Sequence, residues 1–357
     1  MIQTSDNKLF ELENAEKNAF SRRKFVKGCL TFAGCMTFKS DLSAKSVNKR
    51  DVAEAKNALE PGYVALERSG ELQQREQRLW AQLERCNLCP RSCGVNRLRG
   101  NQGRCSSAET FKVSSHGPHF GEEAPFVGRR GSGTIFFSNC NLLCNFCQNW
   151  QTNHRGDGRQ TNHAALARMM IALQRRGCHN INLVTPTHLI PHIVRAIRLA
   201  VADGLRLPLL YNTSGYDSVE VIQLLDGIVD IYLPDFKFQD AEIAAKIADG
   251  ATDYPKHTAA AIKEMHRQVG TLRIVDGVAQ RGILIRHLVL PENIAGTDNF
   301  VKWTASELGT DTHINIMSQY APQYRAHEFP PLSRRLNREE MAQAMRWAQE
   351  AGLRNFH

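Results

Sequence analysis

The chain has 357 residues, 42% of them hydrophobic and 23% charged, which is enough for an enzyme core in one large domain with additions. Its formal net charge of +9 invites a nucleic-acid partner, but residues 1–50 carry ten Lys/Arg against five Asp/Glu and so supply five of those nine charges. No RNA-binding motif follows, so the basic surface reads as solvated and no nucleic acid is expected. Ten cysteines fall mostly in two groups, with only Cys29, Cys35 and Cys178 outside them, a usage that points to metal binding and away from a disulfide framework.

Residues 1–38 read as a leader. Ser21-Arg-Arg-Lys-Phe-Val-Lys27 precedes the apolar stretch Gly28–Phe38, a pattern similar to a twin-arginine export signal. The stretch is too short to span a bilayer, and the alternative is an uncleaved basic leader. Phe32-Ala-Gly-Cys35 is an imperfect lipoprotein cleavage box that would place a lipid on Cys35. Residues 39–75 read as a polar linker. It merges into a helix-compatible run, Glu71–Arg85, with Leu72, Leu79, Trp80 and Leu83 on its apolar face.

Residues 76–128 carry Cys86, Cys89, Cys93 and Cys105 and read as a cysteine-rich metal-binding module. Four thiols either close a tetrahedral zinc site or fully ligate an auxiliary iron–sulfur cluster, and the spacing does not choose between them. Gly94, Gly100 and Gly103 suit the tight backbone of ligand loops. Gly128-Arg-Arg-Gly-Ser-Gly133 lacks the lysine-bearing helix start of a phosphate loop and reads as the turn into the next domain.

From residue 129 to 330, short β-branched runs alternate with helical patterns. The expected strands are Thr134–Phe137, Ile181–Val184, Pro208–Tyr211, Ile228–Leu233, Ile283–Leu290 and His313–Met317. Intervening helices include Asn162–Arg176, capped by Asn162 and stopped by Gly177, and Pro191–Asp203, followed by Gly204. Six such repeats predict an α/β fold with parallel strands, a partial (β/α)6 barrel with its site at the strands' C-terminal ends. Residues 331–357 add a C-terminal amphipathic helix over Asn337–Ala351.

The first barrel strand runs into Ser138-Asn-Cys-Asn-Leu-Leu-Cys-Asn-Phe-Cys-Gln-Asn149. Cys140, Cys144 and Cys147 on one tight loop can hold three corners of a 4Fe–4S cluster and leave the fourth iron without a protein ligand. The other reading is part of a structural zinc site completed from elsewhere. Later strand ends carry polar groups: Val184-Thr-Pro-Thr-His188, Tyr211-Asn-Thr-Ser-Gly-Tyr216, Pro234-Asp-Phe-Lys237, Arg286-His-Leu-Val-Leu-Pro291 and Ile314-Asn-Ile-Met-Ser-Gln-Tyr-Ala-Pro322. Arg286 and His287 point to opposite faces if their strand alternates. Cys178 reads as a buried small apolar residue.

Taken in this order, the motifs resemble the radical S-adenosylmethionine (SAM) superfamily. Within it they resemble an uncharacterised branch related to pyruvate formate-lyase activating enzyme, over roughly residues 84–325. The resemblance implies a 4Fe–4S cluster on Cys140, Cys144 and Cys147 whose open iron is chelated by SAM, with reductive cleavage to a 5'-deoxyadenosyl radical for hydrogen abstraction. It implies SAM contacts from Thr185, Thr187, Asn212, Ser214, Asp235, Lys237 and Arg286, with Phe146 near the adenine and Gln319 and Tyr320 as further contacts. The activating enzymes end their second strand in a Gly-Gly-Glu segment, whereas this chain has Thr185-Pro-Thr-His188 and no carboxylate there. Backbone carbonyls and the threonine hydroxyls are the substitutes available.

The implied partners are a one-electron reductant of flavodoxin or ferredoxin type and a protein substrate, such as a glycyl-radical enzyme. Cytoplasmic residence is favoured because SAM and low-potential donors are cytosolic; an active leader would instead place the folded chain in the periplasm or on a lipid anchor. The competing class is a non-enzymatic iron–sulfur or zinc protein, either an electron carrier or an exported metal-binding lipoprotein. Such a protein has no use for polar strand ends.

Overall fold

The computed structural model describes residues 60–356; the leader, with Arg22, Arg23, Cys29 and Cys35, lies outside the described residues. Ten strands form one sheet: β1 (Phe111–His119), β2 (Ser132–Phe137), β3 (Arg159–Thr161), β4 (Ile181–Val184), β5 (Leu209–Thr213), β6 (Ile231–Pro234), β7 (Arg273–Val275), β8 (Val278–Leu288), β9 (His313–Met317) and β10 (Asn355–Phe356). Their order is β10-β9-β8-β6-β5-β4-β2-β1-β3, with β7 paired to β8 alone. All pairs from β2 through β4, β5, β6, β8 and β9 are parallel. This is the expected partial (β/α)6 arrangement, open at both edges.

The six expected strands are β2, β4, β5, β6, β8 and β9, with ends displaced by a few residues. Asn162 caps its helix by accepting the Ala165 N–H at 2.8 Å, and Asn337 and Glu340 form a reciprocal capping box at the last helix. Helix Ile190–Ala202 buries Ile193, Val194, Ala196, Ile197 and Ala200 against the sheet, and every residue of β5 is buried, as a central parallel strand covered on both faces requires.

The two faces of the sheet carry separate apolar clusters. The larger lies between sheet and helices. The smaller fills the barrel floor with Leu210, Ile231, Leu233, Leu284 and Phe126, the last from the short helix Ala124–Val127 that plugs it. Above this floor the inward-facing residues turn polar, and there the site begins.

Three sequence expectations are corrected. The polar linker does not extend to residue 75: Gly62–Ser69 is helical, burying Tyr63 and Val64, and the Tyr63 hydroxyl donates to the Leu207 carbonyl at 2.8 Å. Two apolar residues in a polar stretch were enough to dock it. The next helix stops at Ala81 and not at Arg85, because the chain turns there toward the cysteine loop. The boundary at residue 128 also moves, since β1 lies inside the expected metal module yet pairs antiparallel with β2. Among the described residues, no helix is long and apolar enough to cross a membrane.

Asp230, just before β6, is buried and accepts the Leu209 N–H at 2.9 Å. Burial pushes its carboxyl up to about 7. The folded state therefore holds a proton that the unfolded chain releases near pH 4, so this contribution to stability is full below that point and is lost as pH rises through about 7. Asp230→Asn should flatten the decline in unfolding free energy between pH 4 and 7 by up to about 4 kcal/mol, read from urea midpoints across that range.

Candidate functional site

The loop after β2 turns on two non-glycine residues in the left-handed region, Asn139 (φ 74°) and Leu143 (φ 58°). Asn139 is held there by donating to the Ser106 carbonyl at 3.1 Å and the Ser107 hydroxyl at 3.2 Å. The result brings Cys140, Cys144 and Cys147 to the wall of one cavity of about 240 Å³. The Leu142 N–H approaches the Cys140 Sγ at 3.4 Å, and the Asn153 amide approaches the Cys147 Sγ at 3.4 Å. Burial pushes all three thiols up, while the Lys237 ammonium acts against that shift. Thiolates therefore need further positive charge, which a bound metal supplies.

The strands β4, β5, β6, β8 and β9 all send polar or soft groups to the same cavity. β4 delivers Thr185 (φ 58°), β5 delivers Asn212, Thr213 and Ser214, β6 delivers Asp235 and Lys237, β8 delivers Arg286, and β9 delivers Met317 and Gln319. Gly215, at φ 80°, is fixed because a Cβ there would run into the Asp235 carbonyl. Arg286 faces the cavity, while His287 faces away, stacks on Phe300 and bonds the Phe236 carbonyl and the Thr297 hydroxyl.

The floor of the cavity is an ionic network. The Asp235 carboxylate takes the Lys237 ammonium on one oxygen at 2.7 Å and the Arg286 Nε on the other at 2.9 Å. Arg286 also reaches Glu122 at 3.4 Å and the Asn212 amide oxygen. Glu122 accepts from Asn182 at 3.2 Å and Asn212 at 3.4 Å, and Glu123 accepts from Asn315 at 2.9 Å. Burial alone would push Asp235 up, but Arg286 and Lys237 overcome it and hold the carboxyl below its usual range. Burial opposes the Lys237 charge likewise, and Asp235 overrides it, leaving the ammonium above its usual range.

Of the expected SAM contacts, Thr185, Asn212, Ser214, Asp235, Lys237 and Arg286 line the cavity and Thr187 does not. The Thr187 hydroxyl is committed to Asp217 at 2.7 Å, a buried carboxylate that also takes the Tyr211 and Thr213 hydroxyls at 2.9 and 2.6 Å. Tyr320 is likewise withdrawn, since its hydroxyl donates to the Leu332 carbonyl at 2.6 Å, whereas Gln319 and Phe146 line the cavity. His188 serves the loop from behind, with Nε2 at 2.9 Å from the Ser138 carbonyl. Glu122, Asp217 and Asn182 are not singled out by the sequence; each lies in an ordinary polar loop or strand context, and only the fold brings them behind the cavity wall, where Glu122 meets Arg286, Asn212 and Asn182, and Asp217 meets Thr213.

Cys86, Cys89, Cys93 and Cys105 come together at a second, much smaller cavity next door, with Arg97 and His188 in its wall. Arg91 joins the two cysteine groups. Its guanidinium donates to the carbonyls of Asn141 at 3.1 Å, Leu142 at 3.3 Å, Ala248 at 3.2 Å and Asp249 at 2.7 Å.

The family model described as "Radical SAM superfamily" matches residues 134–291. An uncharacterised protein of Methanocaldococcus jannaschii, MJ0674, is 32% identical over 278 residues, covering 75% of each chain. Among solved structures, a radical SAM methyltransferase from Sphaerobacter thermophilus aligns with TM-score 0.44 and 17% identity, covering 63% of this chain and 65% of its own, just under two thirds. TYW1 with a lysine-pyruvate adduct bound aligns with TM-score 0.39 and 10% identity over 61% of this chain and 73% of that one.

Removing Asp235 leaves two largely but not fully buried cations without their shared counter-charge. Asp235→Asn should lower unfolding free energy by about 3–5 kcal/mol, and adding Lys237→Met should restore part of that loss in a double-mutant cycle measured by urea denaturation. Additive losses would show that the pair is not coupled.

Proposed function

The chain belongs to the radical SAM superfamily, and from that premise we propose that the cavity above the ionic network binds SAM beside a 4Fe–4S cluster held by Cys140, Cys144 and Cys147. The residues suit these groups: three soft ligands stand on one cavity wall, and polar and charged side chains stand on the others. When bound, cluster and SAM supply one-electron cleavage of a sulfonium to a 5'-deoxyadenosyl radical.

The chain's own residues bind, orient and shield. Lys237 and Arg286 present positive charge for a carboxylate, with Asp235 fixing the direction of both. Thr185 offers a hydrogen bond in the place where the activating enzymes carry Gly-Gly-Glu, Asn212 and Ser214 offer others from the next strand end, and the Ser214 hydroxyl is buried without a protein partner. Phe146, held edge-on by Phe238 and Tyr320, gives a rigid apolar wall. Enclosure within the barrel keeps water and stray reductant from a radical.

The finer reading is hydrogen abstraction from a protein substrate, and the motif resemblance to pyruvate formate-lyase activating enzyme favours a glycyl-radical enzyme as that substrate; the support is the resemblance alone. A flavodoxin- or ferredoxin-like protein is the proposed reductant, and the cytosol, which holds both donor and SAM, is the proposed compartment.

The observation that carries the proposal is the convergence of three cysteines and five strand ends on one cavity. Anaerobically reconstituted protein, reduced with dithionite and mixed with SAM, should release 5'-deoxyadenosine. Alanine at Cys140, Cys144 and Cys147 should abolish it, and Lys237→Met should weaken SAM binding by about 10- to 100-fold, the value of a lost charge-assisted contact. No product from a cluster-loaded, reducible sample would defeat the enzyme reading and favour an electron carrier.

A further inference from the structure

The chemistry above makes no use of Cys86, Cys89, Cys93 and Cys105. All four are free thiols, and three of them are nearly enclosed, with Cys86 at 6% exposure and Cys89 and Cys105 at 7%.

Space bears first on what they hold. The four line a cavity of about 10 Å³, enough for the centre of one water-sized sphere. A zinc ion draws its four sulfurs to about 2.3 Å from its centre, which leaves no room among them for a sphere of about 1.4 Å radius. Among the described residues, no three His, Cys, Asp or Glu side chains converge closely enough to hold a single metal ion. The four thiols are therefore not drawn together as a zinc ion requires, and a multi-atom inorganic core is the group that suits this wider spacing.

Charge bears next. The Arg97 side chain is fully buried in the wall of this cavity. It donates to the Ala108 carbonyl at 3.2 and 2.9 Å and to the His188 carbonyl at 2.7 Å. Among the described residues it forms no ion pair with a carboxylate. A buried cation is costly without a counter-charge, and the groups placed to supply one are the four sulfurs, as thiolates on a metal centre. The Arg104 N–H, at 3.3 Å from the Cys93 Sγ, adds a hydrogen bond of the kind that stabilises such a sulfur.

We propose that Cys86, Cys89, Cys93 and Cys105 ligate a second iron–sulfur cluster with every protein position filled, and not a zinc ion. Full ligation leaves no open iron for a substrate, so this site differs in kind from the one at Cys140, Cys144 and Cys147. Both lie against the same wall, because Arg91 and His188 contact the backbone of the three-cysteine loop.

The test is the triple variant C140A/C144A/C147A, reconstituted anaerobically with ferrous iron and sulfide in the presence of equimolar zinc. Iron, sulfide and zinc are then counted, and the dithionite-reduced sample is examined by electron paramagnetic resonance. The variant should keep about half of the wild-type iron, with sulfide in near-equal amount and a reduced-cluster signal. About one zinc per chain without sulfide, or no metal on a variant that circular dichroism shows to be folded, would overturn the proposal. If the triple variant does not fold, the count on wild-type protein decides: iron and sulfide for two clusters support the proposal, and one cluster plus one zinc refutes it. Adding SAM to the reduced wild type separates this proposal from the previous one. A wild-type signal that ignores SAM, beside an intact signal in the triple variant, would sink the SAM reading and leave the second cluster standing.

Discussion

A single carboxylate organises the site. Asp235 sits where β6 ends and joins two cations that the sequence separates by some fifty residues, Lys237 on its own strand end and Arg286 on the neighbouring one. Neither cation can be buried alone without heavy desolvation cost, and a half-paired arrangement is worse than an apolar one. The pairing locks two strand ends in register, consistent with the isolated bridge between Asp235 and Arg286. It also keeps the Lys237 charge near the three thiols. Glu122, from the plug helix's approach, completes the charge balance beneath. Cavity shape, ligand charge and strand alignment thus rest on one network.

Much of this was legible because it depends on local rules. Cys140, Cys144 and Cys147 are close in sequence and must be close in space. Alternating strand and helix patterns gave the six parallel strands, since a buried parallel strand announces itself as a β-branched apolar run. Asn162 and Gly177 marked a helix through capping chemistry that acts over three residues. The alternation rule put Arg286 and His287 on opposite faces, and the fold turns Arg286 to the cavity.

What escaped depends on long-range geometry. Thr187 has the same chemistry as Thr185 and stands two residues away, yet Asp217, thirty residues on, claims its hydroxyl. Tyr320 and Gln319 are adjacent and divide between core and cavity for a similar reason. Gly62–Ser69 looked like linker because helical docking there relies on Tyr63 finding the Leu207 carbonyl. β1 carries His116, Gly117 and Pro118, a poor strand by propensity, and is a strand because β2 offers it an edge.

Arg91 acts differently from Lys237 and Arg286, whose partners are carboxylate side chains. Most of its hydrogen bonds end on main-chain carbonyls, those of Asn141, Leu142, Ala248 and Asp249, and not on particular side chains. A grip on the backbone places little demand on which residues occupy those positions, so long as the chain follows the same path. Arg91 itself therefore sets no side-chain requirement at 142 and 248, where burial in the apolar core is what restricts the residue. The joint that holds the two cysteine loops side by side is thus a matter of chain path, and a substitution in either loop that keeps the path and the packing leaves it intact.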